Sequence, residues 1–244
     1  DQARTIEFPR AQTSRRDKLG NSHFGATNLK SAVVWNLLNR LIGLAAAFGL
    51  SVLTARLMAV EERGTWFFAF SLVLIISVFA GIGMPTAATV LGSRQQIPPS
   101  RLHSIAVQIG LFALVVGVFA SLVEGSTNPG LVGPGAGFLT YLSVTGALVN
   151  GTGHFKWFNM FEVLMRLLML AFVAAALVVK PSATSGMFGV VIAAAIVSFG
   201  QYLFCVKLYG SVSLLSFIPP QVFQFAIRSW AISIASFSLW KQYY

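Results

Sequence analysis

The stretch "WNLLNRLIGLAAAFGL", residues 35–50, decides the class of fold. Leu, Ile, Ala, Phe and Gly fill most of it, and the apolar pattern runs from about residue 32 to 55. A helix needs about 20 such residues to cross about 30 Å of hydrocarbon. Arg40 interrupts the run, with Asn36 and Asn39 beside it. An arginine at the centre of a membrane-spanning helix costs roughly 2.5–3.5 kcal/mol on insertion scales. The stretch therefore reads as a transmembrane helix that carries its polar residues for a purpose.

The whole composition agrees. Hydrophobic residues make up 56% of the 244 and charged residues 10%, against about 25% charged in soluble domains. Long apolar runs, in place of alternating ten-residue ones, exclude an outer-membrane barrel. The expected fold is all-α, a polytopic transmembrane helical bundle. A net charge of +10 would point to nucleic acid in a soluble protein. Here the charge lies mostly outside the apolar runs, so topology accounts for it and no nucleic acid partner is expected. His23, His103 and His154 are far apart, the single Cys205 has an apolar setting, and no Walker loop or paired acid set is present. No metal, cofactor or enzymatic chemistry is expected.

Residues 1–31 are polar and basic and read as a disordered cytoplasmic tail. Seven helices are expected after it, near 32–55, 65–91, 104–123, 137–151, 158–179, 187–209 and 222–244. The domains follow as a 32–209 six-helix bundle and a 210–244 segment of loop plus a truncated seventh helix. "GIGMP" at 81–85 predicts a kink in the second helix. "EGSTNPGLVGPGAG" at 124–137 reads as a loop whose Pro and Gly cannot sustain a helix, although the fourth helix has room to begin within it. The chain opens at Asp1 and closes at Tyr244 inside an apolar pattern, so a piece of a longer protein is expected.

With the tail in the cytoplasm, eleven Lys and Arg fall on the inner side and four on the outer side (Arg56, Arg63, Lys180, Lys241). That is the bias of the positive-inside rule. It gives a multi-pass protein a cytoplasmic N-terminus and discounts the "NGT" sequon at 150–152.

Three stretches carry a family resemblance. In "ARLMAVEERGTWFFAFSLVLIISVFAGIGMPTAATVLGSR" (55–94), an acidic turn and a Gly lead into an aromatic-rich helix that ends near Gly-x-Pro-Thr-Ala. "ALVNGTGHFKWFNMFEVLMRLLML" (147–170) holds a Gly-x-aromatic-basic loop followed by an Asn, and "FAIRSWAISIASFSLW" (225–240) opens with aromatic-x-x-Arg-Ser. In that order they resemble the O-antigen and oligosaccharide flippases of the multidrug/oligosaccharidyl-lipid/polysaccharide exporter superfamily. The family's Leu-Gly-Pro-Glu turn is Met58-Ala59-Val60-Glu61 here. The resemblance implies two six-helix bundles around a cavity, of which this chain supplies the N-terminal half and the opening of a seventh helix. It implies flipping of a polyprenyl-diphosphate-linked sugar by alternating access, with membrane lipid, that anionic sugar substrate and polysaccharide polymerases as partners. A multidrug exporter of the same superfamily and a non-transporting membrane fragment are the alternatives. An exporter of organic cations needs intramembrane acids, and Glu162 is the one acid inside an expected span.

Arg40 lies roughly 13 Å along the first helix at 1.5 Å per residue, with Asn36 one turn before it. Two readings stand. Arg40, Asn36 and Asn39 line a cavity, where a planar five-donor guanidinium holds a diphosphate, or Arg40 snorkels to the interface. Arg166 follows Glu162 at i,i+4, which reads as a structural ion pair or a second cationic substrate site, with Glu162 as a possible proton carrier. Arg56 near Glu61, Glu62 and Arg63 reads as a solvated salt bridge or an outer gate latch. Gln108, Asn150, Asn159 and Gln201 are expected to hydrogen-bond between helices.

Overall fold

The computed structural model describes the backbone of residues 26–123, 129–213 and 217–240, and the side chains of 34–123, 130–213 and 217–232. Most of the expected tail and residues 124–128 of the expected loop lie outside these. Every described element is helical, in the order α1 (Ala26–Leu57), α2 (Val60–Gly81), α3 (Met84–Ser93), α4 (Pro99–Val123), α5 (Pro129–Gly151), α6 (Phe155–Val179), α7 (Ala183–Tyr209) and α8 (Pro220–Trp240). Six helices among the described residues are long and apolar enough to cross a membrane: α1, α2, α4, α5, α6 and α7. The chain divides into two compact units, Asp1–Leu38 and Asn39–Tyr244. The described part of the first is the opening stretch of α1; the second holds all the packing that follows.

Helix starts differ from the sequence reading in one direction. α1 opens at Ala26, inside the expected tail, and α2 opens at Val60. Glu61 and Glu62 thereby enter the first turn of α2, where acids are favoured by the helix dipole. α4, α5 and α8 open on Pro99, Pro129 and Pro220, since proline at the first helical position gives up only an amide with no helical partner. Ser182 caps α7, its Oγ accepting from Ser185 N at 3.3 Å. Apolar periodicity misses these first turns because they are built from polar and Pro residues.

The expected kink at 81–85 is a full break. Ile82 (φ 35°) and Gly83 (φ 67°) are both left-handed, α2 ends at Gly81, and Pro85 sits in the first turn of α3. The expected Gly/Pro loop is corrected over 129–137, which is helix with Pro134 inside it. Membrane helices tolerate such residues where neighbours approach closely. A Cβ on Gly117 of α4 would sit 2.8 Å from the Gly133 Cα of α5, so glycine here sets the distance between the two backbones.

α5 is the hub. It is the least apolar of the six spans, yet it is the most deeply buried of them. A helix surrounded by helices meets no lipid, so it can be built from Gly, Ser and Thr. Two cores form along it. Near its start, Val132 and Ala136 meet Leu50, Trp66, Val73, Val173 and Met187. Near its end, Tyr141, Val144 and Leu148 meet Met84, Leu91, Leu102, Ile105, Val222 and Ala226. The second core includes α8, which belongs to the Asn39–Tyr244 unit.

Candidate substrate-binding site

On α1, Asn39, Gly43, Ala46, Leu50 and Thr54 are buried, a stripe at helical spacing that is small or polar at its first positions. α6 packs along this stripe. Asn39 Nδ2 donates to Asn159 Oδ1 at 3.0 Å. Asn39 Oδ1 is buried and without a partner among the described residues. Four residues on, the Arg166 guanidinium lies over Gly43, in the space a Cβ would occupy. Arg166 Nη2 in turn donates to Glu162 Oε2 at 3.2 Å, with the two side chains 39% and 43% exposed. Arg40 is one residue on from Asn39, about 100° round the helix, and is exposed. It stands one turn before Gly43 along α1, while the Arg166 guanidinium meets the Glu162 carboxylate beside Gly43.

Beyond Glu162, a cavity of about 350 Å³ opens between α3, α5, α6 and α7. Thr89, Ser143, Asn150, Phe158, Glu162 and Gln201 are among its walls. Gln201 is 1% exposed, and its Nε2 has no partner among the described residues. Glu162 therefore touches the seam on one side and the cavity on the other. The arrangement offers charge, hydrogen-bond donors and a space the size of small-molecule pockets, which run from about 300 to 1,000 Å³. It can bind and orient.

The expected residues fare differently. Glu162 and Arg166 are paired beside the α1 seam that Asn39 helps to make, and Arg40 is exposed on α1 one residue on from Asn39. Asn36 is exposed on α1 in the other compact unit. Asn39 spends its amide on Asn159, a helix-to-helix bond of the kind expected for Asn159 itself. Arg56 ends α1, exposed, where the dipole favours a cation. Its expected salt bridge is not formed, because among the described residues the one ion pair is Arg166–Glu162. Glu62 instead accepts the Ala183 amide at 2.5 Å, so the free N–H of α7's first turn takes the charge a basic residue was expected to take. Gly43 was not among the expected site residues, although a glycine one turn from an intramembrane arginine is itself a sign of close approach. Gln201 was read as a helix-to-helix bond and lines the cavity instead.

Asn39 and Asn159 fix the register of α1 against α6. A double-mutant cycle with Asn39→Ala and Asn159→Ala is expected to give a coupling of about 0.6 kcal/mol, the mean for such membrane bonds. Unfolding of the purified protein in mild denaturing detergent measures it; additive single effects would mean the bond contributes no stability.

The fold is similar to part of several solved membrane transporters. Superposition on a MOP-superfamily transporter from Pyrococcus furiosus, described as having a binding pocket of reverse polarity that suggests a different function, gives a TM-score of 0.63 at 15% identity. That match covers 83% of this chain and 51% of the other. An outward-facing multidrug resistance MATE family transporter gives 0.64 at 15% identity with the same coverage. A MATE crystallised with Br-NRF gives 0.61 at 17% identity, over 85% of this chain and 56% of that one. The chain thus spans about half the length of these transporters. No family model matches the sequence, and no curated protein matches it.

Proposed function

We propose that this chain forms the N-terminal half of an inner-membrane transporter that flips an anionic, lipid-linked oligosaccharide for polysaccharide assembly. The observation that carries the reading is the Arg166 guanidinium laid against Gly43 of α1 and paired with Glu162, with a second arginine, Arg40, exposed one turn before Gly43 on the same helix. A diphosphate headgroup in a poorly hydrated site needs fixed positive charge and directed donors, and arginine supplies both. The reverse polarity described for the P. furiosus pocket supports a fold in which pocket charge varies with substrate. In the complete transporter reconstituted into vesicles, a polyprenyl-diphosphate sugar is expected to cross and an organic cation is not. Translocation of the cation alone would reject the proposal.

One observation favours the second reading, a multidrug exporter. The cavity beside Glu162 is drug-sized and holds a carboxylate, and the MATE solved with Br-NRF shares the fold. The same two-substrate assay separates the readings.

The proposed orientation has the N-terminus in the cytoplasm. Arg94, Arg101, Lys156 and Lys207 lie at or near the helix ends of that side, against Arg56, Arg63 and Lys180 at the other. In a Cys205→Ser background, a cysteine at the exposed position Lys180 should react with an impermeant thiol reagent from outside the cell. A cysteine at Gln95, also exposed, should react only after lysis, and the opposite pattern would invert the topology.

A further inference from the structure

On the side of α5 away from the Glu162 cavity, a furrow of about 250 Å³ runs between α4, α5 and α7. Val107 and Leu114 of α4, Phe138 of α5, and Ala195, Phe199 and Tyr202 of α7 form much of its wall. Its floor is closed where α4 and α5 meet: a Cβ on Gly110 would lie 3.2 Å from the Gly137 carbonyl oxygen and 3.1 Å from Tyr141 Cβ. Leu111 and Phe199, which also line the furrow, are exposed, so its mouth is lateral.

The surroundings of that mouth identify the occupant. α4, α5 and α7 are all membrane spans. Leu111 and Val115 of α4 and Ile196, Phe199 and Leu203 of α7 stand exposed along them. Of the three hydroxyls on residues that line the furrow, two are engaged: Tyr141 OH bonds His103 Nε2 at 3.0 Å, and Ser198 Oγ reaches the Phe138 carbonyl at 3.4 Å, which leaves that of Tyr202. Water needs two to four polar partners to occupy such a space, and apolar cavities of about 150 Å³ stay dry and take up hydrocarbon. A bilayer offers one apolar filler from the side, its own chains.

We propose that the furrow holds one acyl chain of a bilayer phospholipid as a fixed lipid that is not transported. The chain fills the gap α7 leaves as it crosses the Gly-lined contact of α4 and α5, and it packs these helices where no side chain does. This inference is independent of which substrate the transporter carries.

The test uses the complete protein, washed in detergent until bulk lipid is gone and examined by native mass spectrometry. One phospholipid is expected to stay with each chain. Ala195→Trp, which fills the furrow, should lose it. Phe188→Trp, which changes an exposed residue of α7 away from the furrow, should keep it. Equal retention by Ala195→Trp and the parent would overturn the proposal. If Ala195→Trp does not fold, Val107→Phe serves in its place. A photoreactive benzoylphenylalanine at Val107 gives a second measurement: an adduct to phospholipid in phosphatidylethanolamine–phosphatidylglycerol vesicles supports the lipid. An adduct to another stretch of this chain, to a second copy or to a different protein would show that a helix covers the furrow and would overturn it.

Discussion

Under the proposed flippase function, Arg40→Ala in the complete protein is expected to cut export of the lipid-linked sugar by roughly 10- to 100-fold, since a hydrogen bond to a charged group contributes about 1.5–3 kcal/mol and 1.4 kcal/mol is tenfold. Abundance in the membrane should stay near normal, because Arg40 is exposed and Asn39, its neighbour, makes the bond to α6. Arg40→Lys keeps the charge but loses the planar fork, so part of the activity should survive. Arg40→Glu should be inactive. A snorkelling arginine predicts a different series, with Lys fully tolerated and any Ala defect appearing as low abundance. Normal export by a well-expressed Arg40→Ala protein would remove Arg40 from the site.

The second large effect falls on a residue that touches no substrate. Gly83 holds φ at 67°, and a Cβ there would run into the Ala226 carbonyl oxygen of α8 and come within 3.0 Å of Trp230 N. For alanine the left-handed backbone costs roughly 1–2 kcal/mol, and overpacking adds about 1–3 kcal/mol. Gly83→Ala is therefore expected to lower the melting temperature of the purified protein by several degrees. Gly83→Asn tolerates the backbone better yet carries the same Cβ, so it should remain destabilised if the approach of α8 is the larger cause. Gly64→Ala is the control. Nothing lies within 4 Å of that Cβ, and alanine in a helix interior is favoured by about 1 kcal/mol. A Gly83→Ala protein as stable as its parent would show that α8 does not rest on the break.

Much of this architecture was legible in the residues. Six of the seven apolar runs are spans among the described residues because lipid imposes one demand on every lipid-facing helix, and "GIGMP" marks the break because two glycines and a proline leave little else. The 129–137 segment misled for the same reason in reverse. Its glycines were weighed for their backbone freedom, while in the fold they let α4 come close, a fact about a partner helix that no window of sequence contains. The site was half legible. Arg40 and the Glu162–Arg166 spacing could be read along single helices. That Arg166 comes to rest on Gly43, that Asn39 chooses Asn159, and that Glu62 turns to Ala183 depend on how helices far apart in the chain are laid together.

The seating of α8 has a consequence for how the protein is made. Chains emerge N-terminus first, so Gly83, Met84, Leu102 and Ile109 are in place before α8 leaves the ribosome. Lipid tails are as apolar as leucine, so no hydrophobic gain pulls α8 onto that seat. What captures it is close fit at the Gly83 break, Trp230 against Phe79 with ring centroids 6.0 Å apart, and two polar ties from the segment before it. In those ties Arg101 Nη2 donates to the Phe217 carbonyl at 3.1 Å, and Ser213 N donates to Ser104 Oγ at 3.1 Å. The first part of the chain thus acts as a template on which the next helix is threaded and held during insertion.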